Sequence, residues 1–522
     1  MVLLSGFSIA PPGKIEKFSS RFCCTFRETP TMSPIDRSPF SQIFSLSLGI
    51  LLALIGKPSP AQASPSLCPA DLAPRISAIT NRPEFRRVRW GILVQRLGAP
   101  ATEAALYAQD AERYFIPASN AKLLTTAAAL TQLGQDYRIR TSVYQQDTGN
   151  GVVLRVVGRG DPSFDSEDLA DLAKQIGDRT LSPIQQLIAD DHYFRGDPLN
   201  PNWEWEDIQA GYGAPVNSLI LNENLVGFTL VPQALGQPLK IVWDDPAEAD
   251  RWQINNRSRT VAADAEEFLQ VGRDLGRPVV QVQGHLRVGS ASEAVAISIT
   301  QPDRHFLQLF RQSLKQANVN VLGTAIAPSP ATNPGTEIAF VESAPLSELL
   351  IATNRSSNNL YAESLLRQLG ATQNPNAESS LDAGLEILEN TLTRLGVAAD
   401  SYQLADGSGL SRHNFVSPQA LVQTLQGMAR SPLADPYRNS LSLAGANGTL
   451  RNRFRNTPLE GKLQAKTGFL SGMTGISGYA SPPNYSPITF AVLINQFDQP
   501  LTEVQGAIDE IVGLLGQLKP CP

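Results

Sequence analysis

Apolar residues along this chain change their spacing several times, and each change marks a different kind of element. Between 69 and 81, Leu72, Ile76 and Ile79 recur at helical spacing and predict a short helix. Residues 89–97 (RWGILVQRL) and 105–109 read as paired strands around a Gly/Pro turn at 98–100. After Pro117, the run SNAKLLTTAAALTQLG predicts a helix that stops at Gly134. Strand-like alternation returns at 138–144 and 152–157, and helical spacing at 167–176 and 182–189. Much of 225–340 reads as short strands and turns, including 239–243 and 279–288. From about 345 the character is helical, at 345–353, 359–369, 379–395 and 417–429. Strands at 462–468, 473–480 and 488–496 and a helix at 501–517 close the chain. The fold class this predicts is α+β: an antiparallel sheet flanked by helices, with β-rich material inserted in the middle.

Composition narrows the function. The chain has 522 residues, 42% hydrophobic and 18% charged, enough apolar material for a large core and too much for disorder over most of its length. Its net charge is −6 with no long basic run, so no nucleic-acid partner is expected. Only four His and four Cys are present, no two at metal-ligand spacing, so neither a metal nor another cofactor is expected.

Residues 40–56 form an apolar stretch, followed by Ala61-Gln62-Ala63, a small-x-small cleavage site. That predicts a leader over 1–63 with a signal peptide cleaved after Ala63, and export to the periplasm or cell envelope. A membrane anchor is the alternative, weakened by the Ser and Gln inside a run short for a span. Beyond Ala63 only Cys68 and Cys521 remain, near the two ends. In an oxidising compartment they either pair or stay free thiols.

Three short motifs carry candidate chemistry: Ser119-Asn120-Ala121-Lys122 after Pro117, Ser357-Asn358-Asn359 before a helix, and Lys466-Thr467-Gly468 on a strand. Roughly one Ser-x-x-Lys arises by chance in such a composition, and a serine before a helix is usually a cap. Lys-Thr-Gly is rarer, at roughly 0.04 expected. Their order, each on a suitable element, gives them weight.

A serine hydroxyl is a weak nucleophile until a neighbour takes its proton. At i and i+3 on a helix, Ser119 and Lys122 share a face. An ammonium cannot accept a proton, so Lys122 must be kept neutral by burial or by a nearby cation such as Lys466. Ser357 can relay a proton to the leaving group, and the Asn359 amide can hold a substrate backbone. Lys466 and Thr467 suit a substrate carboxylate, while the strand edge at Gly468 pairs with an extended peptide. The N–H groups of Ser119 and Phe469 would form an oxyanion hole. The histidines form no triad with any marked Ser and Asp.

With these motifs the chain resembles the penicillin-binding protein and serine β-lactamase superfamily. Within it, the likeness is to low-molecular-mass D-alanyl-D-alanine carboxypeptidase/endopeptidases with a large insertion. Ser119 and Ser357 lie 238 residues apart, several-fold more than in a class A β-lactamase. Residues 190–194 (DDHYF), 212–219 (YGAPVNSL) and 406–412 (DGSGLSR) also resemble that family, whereas Asn358 stands where many relatives have Asp. The resemblance implies catalytic stretches at 69–139, 204–226 and 341–520, with inserted domains at 140–203 and 227–340.

It further implies peptidoglycan stem peptides ending in D-Ala-D-Ala as substrate, cleaved through an acyl-enzyme, and β-lactams as inhibitors. Endopeptidase action on D-Ala–diaminopimelate cross-links and peripheral membrane association stay open. Asp190 is a candidate contact for the free amine of a diaminopimelate side chain, or else a loop-capping aspartate. Two alternative functions remain: a β-lactamase or esterase of the same superfamily, marked by rapid turnover of penicillin, and a non-enzymatic wall-binding module, marked by no covalent penicillin label.

Overall fold

The strand Ile488–Asn495 (ITFAVLIN) explains the architecture, because all of its residues are buried. Its side chains alternate between two cores. Ile488, Phe490, Val492 and Ile494 enter one, and Ala491 and Leu493 enter the other. A strand buried on both faces reads as an unbroken apolar run, and each large side chain so buried stabilises by roughly 1.5–3 kcal/mol.

The computed structural model describes residues 66–99, 103–149, 151–179 and 183–521. The expected leader, with its apolar 40–56 stretch and its cleavage after Ala63, lies outside the described residues. The fold is α+β. Its main sheet is antiparallel and runs in the order Ser442–Leu443, Leu463–Leu470, Met473–Ala480, Ile488–Asn495, Arg89–Arg96, Tyr107–Gln109. One face packs against the first and last helices, Pro69–Thr80 and Leu501–Leu515. The other packs against Lys122–Leu133, Leu346–Arg355, Asn359–Gln373, Ser380–Leu395 and Pro418–Arg430.

The two ends of the described chain meet. Leu67 N donates to Gln517 O at 2.8 Å, Lys519 N donates to Leu67 O at 3.0 Å, and Cys68 is disulfide-bonded to Cys521 with their Cα atoms 5.6 Å apart.

A second, five-stranded mixed sheet has the order Val321–Ile326, Ile184–Asp190, Gly151–Val157, Arg140–Thr148, Thr336–Glu342. Helices Ser166–Gly177 and Pro302–Gln316 pack on it. Two sequence expectations change here. The helix expected at 182–189 is the strand Ile184–Asp190, because Ile184 and Leu187 mimic helical spacing while parallel pairing on both sides decides the conformation. The insertion expected over 227–340 ends earlier, since Gly227–Ala296 form one compact unit. Strands Val321–Ile326 and Thr336–Glu342 instead hydrogen-bond into the sheet begun at Arg140. Within Gly227–Ala296, Val279–Arg287 runs parallel to Gln253–Val261 and antiparallel to Phe268–Arg273.

Candidate active site

The segment after Pro117 is not one continuous α-helix. Ala118–Ala121 form a 3-10 turn, and the α-helix begins at Lys122. In a 3-10 turn, side chains at i and i+3 eclipse rather than merely share a face. Lys122 therefore stands directly over Ser119, its Nζ 3.0 Å from Ser119 Oγ. Ala118, just before the serine, holds a left-handed φ of 46°, a conformation L side chains seldom adopt and one found often at functional turns. The helix is buried from Lys122 through Leu130, so Lys122 has no solvent around it.

Two further acceptors bind the same amine. Asn359 Oδ1 lies 2.6 Å from Lys122 Nζ and the Ser408 carbonyl lies 2.7 Å away. Both only accept. A neutral amine has two hydrogens and one lone pair, so these contacts use both hydrogens and leave the lone pair for the Ser119 hydroxyl. Burial lowers the Lys122 pKa to about 7, and the charges of Asp406 and Glu363 act against that fall.

The second motif lies between helices Leu346–Arg355 and Asn359–Gln373. Ser357 has a left-handed φ of 59°. Asn358 caps the second helix by accepting from Tyr361 N at 3.2 Å, and its Nδ2 donates to Glu223 Oε2 at 2.7 Å. Asn at this position thus has a local task of its own.

Lys466, on the strand Leu463–Leu470, is fully buried and donates to Ser357 Oγ at 2.8 Å and to the Thr467 carbonyl at 2.7 Å. Burial and the charge of Lys122 hold its pKa well below the usual lysine value. Thr467 is half-buried, and its hydroxyl donates to Thr449 Oγ1 at 2.8 Å. Gly468 lies against the serine turn so tightly that a Cβ there would sit 2.7 Å from Pro117 O and 3.0 Å from Ser119 N. Half-buried Phe469 follows it. Asn495, at the end of the central strand, accepts from Ile116 N at 2.8 Å and donates to Ile116 O at 3.1 Å, pinning the approach to Ser119.

Ser119, Lys122, Ser357, Asn359, Lys466, Thr467 and Gly468 thus come together, with both serines half-exposed above two buried lysines. Asp190 is not joined to this cluster by any of those contacts. It ends a strand of the five-stranded sheet, buried, with Arg155 Nη1 at 2.9 Å and His192 Nδ1 at 3.0 Å. Its carboxylate is held within the protein by these two partners. Among the described residues, no three or more His, Cys, Asp or Glu side chains gather as a metal site would need.

Sequence reasoning missed two buried carboxylates, Glu363 and Asp406. Glu363 carries no motif signal, and Asp406 opens the DGSGLSR stretch without announcing its role. Asp406 accepts from Gly409 N, Ser411 N, Asn414 Nδ2 and Trp203 Nε1, at 2.6 to 2.9 Å. That network shapes the loop that carries Ser408. Gly409 (φ +84°) completes it, since a Cβ there would come within 1.9 Å of the Ala118 carbonyl.

A family model for D-Ala-D-Ala carboxypeptidase 3 (S13) matches residues 72–516. The chain belongs to that family. It is a serine peptidase of the low-molecular-mass penicillin-binding type, within the serine β-lactamase superfamily. It is 32% identical over 471 residues to a D-alanyl-D-alanine carboxypeptidase of Actinomadura sp. (strain R39), covering 85% of this chain and 86% of that one. A penicillin-sensitive carboxypeptidase A of Dictyostelium discoideum is 29% identical over 436 residues, 77% of this chain and 82% of the relative. In fold the chain resembles penicillin binding protein 4 of Haemophilus influenzae, with a TM-score of 0.74 and 21% identity over 84% of this chain and 98% of that one.

Proposed function

We propose that Ser119 is the nucleophile and Lys122 its base in hydrolysis of the terminal D-Ala-D-Ala bond of peptidoglycan stem peptides. The observation that carries this reading is the Lys122 amine, 3.0 Å from Ser119 Oγ with both other hydrogen-bonding directions taken by carbonyl-type oxygens.

The Ser119 proton passes to Lys122 Nζ as Oγ attacks the penultimate D-Ala carbonyl carbon. The N–H groups of Ser119 and Phe469 take up the negative charge that develops on the carbonyl oxygen. Ser357 relays to the departing amine the proton that Lys122 took from Ser119, so the C–N bond breaks with Ser357 again a hydroxyl and Lys122 again neutral. Neutral Lys122 then takes a proton from a water that attacks the acyl carbon and returns it to Ser119 Oγ as the ester bond breaks, which restores the free enzyme.

The substrate carboxylate is drawn to the hydroxyls of Thr467 and Thr449 at the strand edge. Lys466 is buried behind them, so it acts through its charge rather than by direct contact. A carboxylate bound there favours the charged form of Lys466, and that charge favours neutral Lys122. β-Lactams enter the same cycle and stall at the acyl stage. Cross-linked peptides whose donor carbonyl belongs to D-Ala are substrates of the same type, which makes the enzyme an endopeptidase as well.

The Cys68–Cys521 disulfide supports an exported protein folded in an oxidising compartment, the periplasm or cell envelope. Among the described residues no helix is long and apolar enough to cross a membrane.

A fluorescent penicillin is expected to label the protein, and Ser119→Ala to abolish the label without loss of fold. Digestion of purified muropeptides is expected to release D-Ala and to convert cross-linked dimers to monomers. Labelling that survives in Ser119→Ala would show the nucleophile to be another residue.

A further inference from the structure

Beneath the motif residues lies a carboxylate that none of the three motifs contains. Glu363 stands one turn beyond Asn359 on the same helix and is fully buried. Its Oε1 accepts the N–H groups of Gly407 and Ser408, each at 2.8 Å, and its Oε2 accepts from Arg367 Nη1 at 3.2 Å. Ser408 turns its carbonyl the other way, to Lys122 Nζ at 2.7 Å. Thr125, on the lysine's own helix, holds the neighbouring Gly407 carbonyl at 2.7 Å. A single residue, Ser408, therefore separates the carboxylate from the amine.

A buried ion pair such as Glu363–Arg367 is poor value for stability alone, because desolvation cancels much of the attraction. Its place directly below a reacting amine suggests a different task.

We propose that Glu363 is a positioning residue for the Ser119–Lys122 pair: it locks the 407–408 turn so that the Ser408 carbonyl holds one Lys122 hydrogen, and its charge sets how readily that amine keeps a proton. This rests on the reading of Lys122 as the base. The charged groups facing the pair come from every side. Glu363 and Arg367 lie on the Asn359–Gln373 helix, Asp406 on the loop and Lys466 on the neighbouring strand, while Asp197 bears on Arg367. Burial and Asp406 push the Glu363 carboxyl up to about 7, with Arg367 opposing.

The test is the rate at which the whole protein is acylated by a fluorescent penicillin between about pH 5 and pH 9. Glu363→Gln keeps an oxygen for the two N–H groups and removes the charge. Lys122 then gives up its proton at lower pH, and the acid limb is expected to move down by about half to one pH unit. Glu363→Asp keeps the charge but is one methylene shorter. Its acid limb is expected to stay in place while the plateau falls about tenfold or more, because the Ser408 carbonyl withdraws.

A folded Glu363→Gln protein whose acid limb stays put or moves upward overturns the proposal. If that variant does not fold, Glu363→Asp decides: a lowered plateau with an unmoved limb supports the proposal, and any other profile overturns it. Wild-type protein that takes no label at any pH defeats the reading of the site itself, a separate failure.

Discussion

Asn359 is held at both ends of its amide: Nδ2 donates to the Tyr212 carbonyl at 2.9 Å, and Oδ1 faces Lys122 Nζ at 2.6 Å. A carbonyl only accepts, so the Tyr212 contact settles which end of the amide meets the lysine. A backbone oxygen from a distant segment thus decides that Lys122 must give a hydrogen to Asn359. That leaves its lone pair for Ser119.

Asn359→Asp should reverse this balance. A carboxylate beside Lys122 raises its proton affinity and faces the Tyr212 oxygen without a donor between them. Acylation by penicillin at pH 7 is expected to fall about tenfold or more, with partial recovery near pH 9. A pH–rate comparison with Asn359→Ala, which adds no charge, checks the sign.

As the base proposed above, Lys122 has to be unprotonated in the wild type, and burial lowers its pKa to about 7. The acylation rate is therefore expected to rise with pH through about 7 and then level off. Lys122→Met should lower the plateau by roughly 10²–10⁴-fold, the usual contribution of a positioned base, and abolish the rise through pH 7. Stopped-time labelling across pH measures both.

Lys466→Ala removes the buried amine behind Ser357 and the Thr467 edge, the group whose charged form a bound carboxylate would favour. Peptides ending in a carboxylate are expected to lose about tenfold or more in kcat/KM relative to uncharged esters of similar size. Equal losses on both substrates would remove any role in carboxylate recognition.

The Cys68–Cys521 bond closes a loop of sequence separation 453. Replacing both cysteines with serine is expected to cost about 2–5 kcal/mol of stability and to lower Tm. Reductant should lower the Tm of the wild type to a similar extent and leave the double variant unchanged. Thermal unfolding with and without dithiothreitol reads this directly.

The strands that end the chain were legible because their signals are local. Residues 490–494 are wholly apolar, and Leu463–Leu470 begins within one residue of its expected start. The pairing of Ser119 with Lys122 was legible from spacing, although the 3-10 turn that sharpens it was not. The strand at Ile184–Asp190 was hidden because its identity depends on partners far away in sequence. The end of the second insertion at Ala296 was hidden for the same reason. Asp190 attracted attention through its position in a recognised stretch, yet Arg155 and His192 already hold it. Glu363 showed the opposite: a helical glutamate is ordinary in a sequence, and only burial against two backbone N–H groups gives it meaning.

Asn495 grips both backbone atoms of Ile116, and its strand lies beside Arg89–Arg96, so the earliest and latest portions of the catalytic domain complete one another. A polypeptide still emerging during synthesis lacks that grip until its final strand is made. A chain cut short before Ile488 would lack both that grip on the approach to Ser119 and the neighbour that Arg89–Arg96 pairs with.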